Sequence, residues 1–236
     1  KVEHYLEDLD GEGYTLDATE EFQGQTDTEA TAAPKTYTGF TYDPEVEGTV
    51  ASGIIKGDGS LTLRLYYTRN SYEVTYEYVG TVPEGASELP ADATYKYGAE
   101  VTVAAAATAP GYTFSGWSES GTFTMPAEDV EITGSFTANT NTGYKVEHYL
   151  EDLDGEGYTL DATDNLTGTT GEYKEAQPKA YTGFTYDSSV EGTVASGTIK
   201  GDGSLTLRLY YTRNSYKVTY EYVGTVPEGA SELPGE

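Results

Sequence analysis

The clearest pattern in the chain is the run Ser60–Thr68, in which Leu61, Leu63, Leu65 and Tyr67 alternate with Thr62, Arg64 and Tyr66. A period of two puts every second side chain on one face of an extended backbone, so this run predicts a half-buried β-strand. The same alternation marks Lys1–Glu7 and Tyr14–Thr19, joined by the turn-forming stretch Asp8-Leu-Asp-Gly-Glu-Gly13. Thr36–Tyr42, Val46–Ala51 and Ile54–Gly59 also read as extended, the last closing on the hairpin signal Gly57-Asp-Gly59. Further along, Tyr72–Val79, Glu100–Ala105, Tyr112–Trp117 and Val130–Phe136 show the same character. Helical periodicity is weak everywhere, and only Glu20–Ala33 leaves room for a turn or two. The expected fold class is all-β with little helix.

A second pattern is longer. Lys1–Asp10 recurs unchanged as Lys145–Asp154, and residues 1–92 map without a gap onto 145–236. Polar connectors at Asn70-Ser71 and at Asn139-Thr-Asn-Thr142 divide the repeat in two. The chain then reads as module A (1–70), module B (71–142), a second module A (143–214) and the opening of a second module B (215–236). Modules of about 70 residues lie near the lower size limit for an unstapled domain, so stacking against neighbours is expected to help. The connectors carry no Gly/Ser run, which predicts restricted hinges and an elongated tandem array, a monomeric rod. Residues 215–236 supply only the first strand of a module. They are expected to be poorly ordered or to pair with an edge of another molecule. The two A copies are nearly identical except between 20–33 and 164–177, where most positions differ. Such a segment is either weakly constrained or varies its contacts.

Composition narrows the picture. Tyr outnumbers Phe 23 to 6, with a single Trp, which suits thin modules whose rings are buried while the hydroxyls stay wet. With 40 acidic and 13 basic residues the net charge is −27, and the acidity is spread along the chain. Clustered cations are what nucleic acid and anionic membranes require, so neither is expected as a partner. There is no cysteine, which excludes disulfides and thiolate chemistry. No apolar run is long enough to span a bilayer, so no membrane insertion is expected.

Few residues carry candidate chemistry. Asp8, Asp10 and Glu12, repeated as Asp152, Asp154 and Glu156, place alternate carboxylates in a Gly-containing turn of the kind that can hold Ca²⁺. The same residues are ordinary turn formers, and that reading is preferred. His4 and His148 are the only histidines, at equivalent strand positions, with no second ligand or nucleophile nearby in sequence. They read as packed strand residues. No catalytic residue, cofactor site or metal site is assigned, and the chain is not expected to be an enzyme. Lys1 and Asn70, with Lys145 and Asn214, stand where a strand-joining isopeptide bond would have them, although surface charge and linker is the plainer reading. Trp117, in Gly111-Tyr-Thr-Phe-Ser-Gly-Trp117, reads as a core anchor more readily than as a sugar-stacking platform.

Two resemblances emerge from these motifs. Val2-Glu-His-Tyr5, Asp8-Leu-Asp-Gly11, Tyr37-Thr-Gly-Phe40 and Leu65-Tyr-Tyr67 give module A a resemblance to the mucin-binding-protein (MucBP-type) repeat of Gram-positive surface proteins. Module B resembles the SHIRT-type repeats of streptococcal adhesins, with a distant likeness to internalin B-repeats. Its matching motifs are Val74-Thr-Tyr76, Gly80-Thr-Val-Pro-Glu-Gly85, Tyr97-Gly98, Val101-Thr-Val103, Gly111–Trp117 and Phe123-Thr-Met-Pro126. These resemblances imply β-grasp-like or small β-sandwich modules in an extracellular protein anchored to a bacterial cell wall. The expected function is a stalk that projects a distal binding domain. The alternative is weak multivalent binding of host mucin, its glycans or a host surface protein by the A modules.

Overall fold

The computed structural model describes residues 1–235. Every regular element among them is a strand. The first module contains β1 (Val2–Glu7), β2 (Tyr14–Glu20), β3 (Glu29–Thr31), β4 (Phe40–Tyr42), β5 (Ser52–Ile54) and β6 (Leu63–Arg69). Four of these form a sheet in the order β2-β1-β6-β4, while β3 and β5 pair separately. The first and last strands lie side by side and run parallel, with Val2 opposite Leu63 and Leu6 opposite Tyr67. The chain therefore comes in at one end of the sheet and leaves at the other, about 20 Å away for strands of this length.

The alternating run dictates the core. Leu63, Leu65 and Tyr67 are buried with Val2 and Ala32, and Leu61, Phe40 and Tyr42 close around them. On the opposite face Tyr66 stacks on its neighbour Tyr5 with centroids 4.9 Å apart, and Tyr14 meets Tyr66 edge-on at 5.1 Å. Such cross-strand aromatic pairs stabilise a sheet face that remains partly wet.

Module B repeats this scheme with a different sequence. Its strands are β7 (Ser71–Tyr78), β8 (Ala93–Lys96), β9 (Glu100–Thr102), β10 (Tyr112–Trp117), β11 (Thr122–Thr124) and β12 (Val130–Ala138). The sheet order is β10-β12-β7-β8, with β9 and β11 paired apart. First and last strands are again parallel, Val74 opposite Val130. Val74, Val101, Met125 and Ile132 form the core. The second A copy comprises β13 (Thr142–Glu151), β14 (Tyr158–Gly168), β15 (Tyr173–Glu175), β16 (Phe184–Tyr186), β17 (Ser196–Thr198) and β18 (Thr206–Arg213). Leu207, Leu209 and Tyr211 are buried there as their counterparts are in the first copy. Residues 215–235 contribute no strand, and Tyr216, Val218 and Val223 are exposed.

By contacts the chain divides into two units. One holds Lys1–Ala109 and Thr113–Thr137, and the other holds Pro110–Tyr112 and the residues from Ala138 onward. The connector Ala138–Thr142 thus belongs with the second A module rather than closing module B.

Several strand expectations needed trimming. Of Thr36–Tyr42 only Phe40–Tyr42 is a strand, because Phe40 N–H donates to the Tyr37 carbonyl at 3.1 Å in a turn that places Gly39 at φ +78°. Val46–Ala51 forms a turn with a single bridge from Val50 to Arg64, since Gly48 at φ +94° leaves the extended region. Glu100–Ala105 is a strand only through Thr102. Glu20–Ala33 holds no helical turn, and its regular part is β3, paired with β5.

Both histidines are fully buried, and each is locked the same way. Nδ1 of His4 lies 2.9 Å from the Tyr67 hydroxyl, which also accepts the backbone N–H of Lys35 at 2.9 Å. Nε2 of His4 faces Glu20 at 3.2 Å. In the second copy Tyr211, Lys179 and Asp164 take these places at 2.8, 2.9 and 3.2 Å. The Glu-to-Asp exchange thus keeps a carboxylate on the buried ring. Replacing Tyr67 with Phe strands both a buried imidazole nitrogen and the Lys35 N–H. A loss of about 1–3 kcal/mol is expected, read from the denaturant midpoint of unfolding.

Burial pushes the Tyr67 and Tyr211 hydroxyls above the ordinary tyrosine range, and Tyr181 is pushed up to about 12 by burial and by Asp161. Because the folded state resists ionisation, this stability is complete below about pH 10 and declines as pH rises above it. Alkaline titration should show tyrosinate absorbance appearing together with loss of the β-sheet circular dichroism signal.

Candidate functional site at the joint between modules

The first unit contains one complete junction between modules, and its geometry is built from charged and aromatic groups at the outgoing end of the A sheet. β6 passes into β7 through Asn70 alone. Asn70 is held on both sides: its N–H donates to the Gly39 carbonyl at 2.9 Å and its carbonyl accepts from Tyr97 N–H at 2.8 Å. Its side-chain oxygen accepts from the Thr41 hydroxyl at 2.7 Å.

Glu7, the last residue of β1, ties this end together. One carboxylate oxygen accepts the Arg69 backbone N–H at 2.7 Å, and the other meets the Lys96 ammonium of module B at 2.5 Å. Arg69 donates through Nε to the Glu7 carbonyl at 2.8 Å and through Nη1 to the Tyr97 carbonyl at 2.9 Å. Its guanidinium lies 4.8 Å over the Phe40 ring, and Phe40 meets Tyr97 edge-on at 5.8 Å. Tyr97 sits so close to Gly39 that a Cβ there would fall 2.2 Å from the ring. Burial disfavours the Glu7 carboxylate, but the Lys96 ammonium and the Arg69 N–H outweigh it and hold its pKa below the usual range.

The A side of this joint is preformed. In the second copy Arg213 N–H reaches Glu151 at 2.7 Å, the Arg213 guanidinium lies 4.8 Å over Phe184, and Asn214 N–H donates to Gly183 at 2.8 Å. A Cβ on Gly183 would meet nothing within 4 Å. The same residues therefore stand ready with and without a B module against them.

The residues singled out from sequence lie elsewhere. Asp10 accepts the Glu12 N–H at 3.0 Å and Asp8 accepts the Thr15 hydroxyl at 2.6 Å, so these carboxylates close their own turn. Among the described residues no group of three or more His, Cys, Asp or Glu side chains is placed to hold a metal ion. Lys1 and Asn70 stand at opposite ends of the parallel β1–β6 pair, about 25 Å apart by strand rise, out of reach of an isopeptide bond. Lys1 instead pairs with Glu3 at 2.6 Å. Trp117 is half-buried, donates to the Ala105 carbonyl at 3.0 Å, and stacks on Tyr78 at 5.6 Å with Phe114 edge-on at 4.9 Å. Gly134 lies beneath it, where a Cβ would come within 3.0 Å of both Phe114 and Trp117. This cluster holds β7, β10 and β12 together. The joint residues Glu7, Arg69 and Lys96 were missed in the sequence, where single charges at strand ends look like any exposed charge.

Comparison with known proteins bears on module B. Residues 73–140 match the family model described as the divergent InlB B-repeat domain. That match covers module B and leaves the A modules unassigned, so the MucBP likeness of module A stays a sequence resemblance. No curated protein matches the chain. Among solved structures, Streptococcal High Identity Repeats in Tandem (SHIRT) domains 3–4 from a cell surface protein align at 20% identity over 61% of this chain and 98% of that one. The TM-score is 0.24, too low to support any argument about this chain.

Two outcomes test the joint. Gly39→Val should destabilise the first unit by about 1–3 kcal/mol more than Gly183→Val destabilises the second, since both strain a left-handed backbone but only the first strikes a ring. Differential hydrogen exchange at residues 96–98 locates the loss. The Glu7 contribution is complete above the usual carboxylate range and is lost as pH falls through its lowered pKa, below about pH 4. Relative to the intrinsic exchange rate at each pH, protection of the Arg69 and Tyr97 amides should fall there in the wild type and stay constant in Glu7→Gln.

Proposed function

We propose that this chain is a segment of a cell-surface stalk in which A and B modules alternate to carry a distal domain away from a Gram-positive cell wall. The observation that carries this reading is the parallel pairing of first and last strands in every module. Each unit receives the chain at one end and releases it at the other, so copies in series add length. A short connector fixed by Glu7, Arg69 and Lys96 supports a stiff joint, and spread acidity keeps a long exposed chain soluble. The B-repeat match of residues 73–140 supports a surface repeat. On this reading the chain has no enzymatic activity.

Small-angle scattering on chains with one, two and three A–B pairs tests the stalk. The maximum dimension should rise in equal steps with each pair, and a radius growing only as the cube root of mass would sink the proposal. Saturable binding of the A–B pair to mucin would favour a directly adhesive role instead.

A further inference from the structure

The two A copies differ at the incoming end of the sheet. In the second, β13 begins at Thr142, upstream of the position equivalent to Val2, and β14 runs on to Gly168. Thr142, Gly143 and Tyr144 pair with Gly168, Thr167 and Leu166. The buried Thr142 and Thr170 hydroxyls share a hydrogen bond of 2.6 Å, and Thr170 N–H donates to the Asn139 carbonyl at 2.9 Å. Tyr144 packs on the core beside Val146. Ile199 is 1% exposed. Gly201 comes so close to the Pro110 carbonyl that a Cβ would fall 1.9 Å from its oxygen.

In the first copy β1 begins at Val2 and β2 stops at Glu20. Phe22, the counterpart of Leu166, is 66% exposed. Ile55, the counterpart of Ile199, is only partly buried. Between them lies an open groove of about 370 Å³ with mixed polar and apolar lining, reaching Val2, Glu20, Gly24, Leu61 and Leu63.

We infer that this groove is a docking site for the connector that leaves a B module, a Thr-Gly-Tyr strand like Thr142–Tyr144, and that the connector completes each A sheet. The second copy, with its connector seated, identifies the occupant. The variable segment supports the assignment independently. Between 20–33 and 164–177 only Gly24, Thr26 and Ala32 recur, as Gly168, Thr170 and Ala176. A Cβ on Gly168 would strike Ile199 at 2.6 Å, Thr170 bonds Thr142, and Ala176 is core. Gly24 and Ala32 are fixed by the module's own packing, a Cβ on Gly24 striking Ile55 at 2.4 Å, so Thr170 is the unchanged position that the connector itself accounts for. Gly57, which has only Thr26 within 4 Å of a Cβ, recurs as Gly201, where the Pro110 carbonyl approaches.

Hydrogen exchange on the full chain tests this within one molecule. Residues 165–168 should be protected and 21–24 should exchange rapidly. Placing Thr-Gly-Tyr ahead of Lys1 should slow exchange across 21–24 by about tenfold or more, as strand pairing is gained. Conversely, Tyr144→Ala should bring 165–168 toward the unprotected rate. Unchanged exchange at 21–24 in the extended chain overturns the docking site, and so does full protection of 165–168 in Tyr144→Ala. Neither result touches the stalk reading, which rests on the parallel pairing of first and last strands within each module.

Discussion

Parallel pairing of the first and last strands is the constraint on which the rest of each module depends. A parallel partner cannot be reached by a hairpin, so the chain between β1 and β6 must cross over. In the first module that crossover contains β2 to β5 and places the core residues Ala32 and Phe40 over Leu63, Leu65 and Tyr67. Module B reaches the same arrangement with Val74, Met125 and Ile132. Two sequences that share few motifs converge because the demand is geometric: cover one face of a four-stranded sheet and hand the chain on at its far end.

How much of this was legible depended on whether the signal was local. β6 could be read because Leu61 to Tyr67 alternate without interruption; the strand itself starts at Leu63, and from there to Tyr67 burial follows the alternation residue by residue. β3, β5 and β11 span three residues each, too short for a period to show. Val46–Ala51 misled because Val46 and Val50 look like strand positions, while Gly48, beneath the Tyr66 hydroxyl, bends the backbone between them. The histidines could be placed as packed strand residues. Their fixed partners could not, since Tyr67 lies 63 residues from His4 in sequence. The joint was the least legible part. Glu7, Arg69 and Lys96 are unremarkable singly and acquire a role only when the topology brings three strand ends together.

The chemistry of the joint explains why charge is used there at all. An isolated exposed ion pair contributes little to stability, and the Lys96 side chain is 39% exposed. Glu7 is different because its second oxygen already serves the Arg69 N–H within its own module. The carboxylate is positioned before module B arrives, so closing the pair orders only one flexible side chain. The matching arrangement of Glu151 and Arg213 in the second copy shows that module A supplies this site by itself.

The two ends of an A module therefore do different work. At its outgoing end a preformed polar site meets the next module. The carboxylate on the arginine N–H and the guanidinium over the phenylalanine ring are the same in both copies. The arginine Nε turns from the Glu7 carbonyl in the first to the Asp152 carbonyl in the second. At its incoming end, in the second copy, the connector lengthens the sheet itself, since Thr142–Tyr144 lie beside Leu166–Gly168 of β14. An interface made by side chains can be weakened one contact at a time. One made by extending a strand ties the connector to the fold of the module that receives it. In a one-dimensional array each module's stability includes a term from its neighbour. Module A takes such a term at each end: through Glu7 and Lys96 on the outgoing side, and through the paired connector strand on the incoming side.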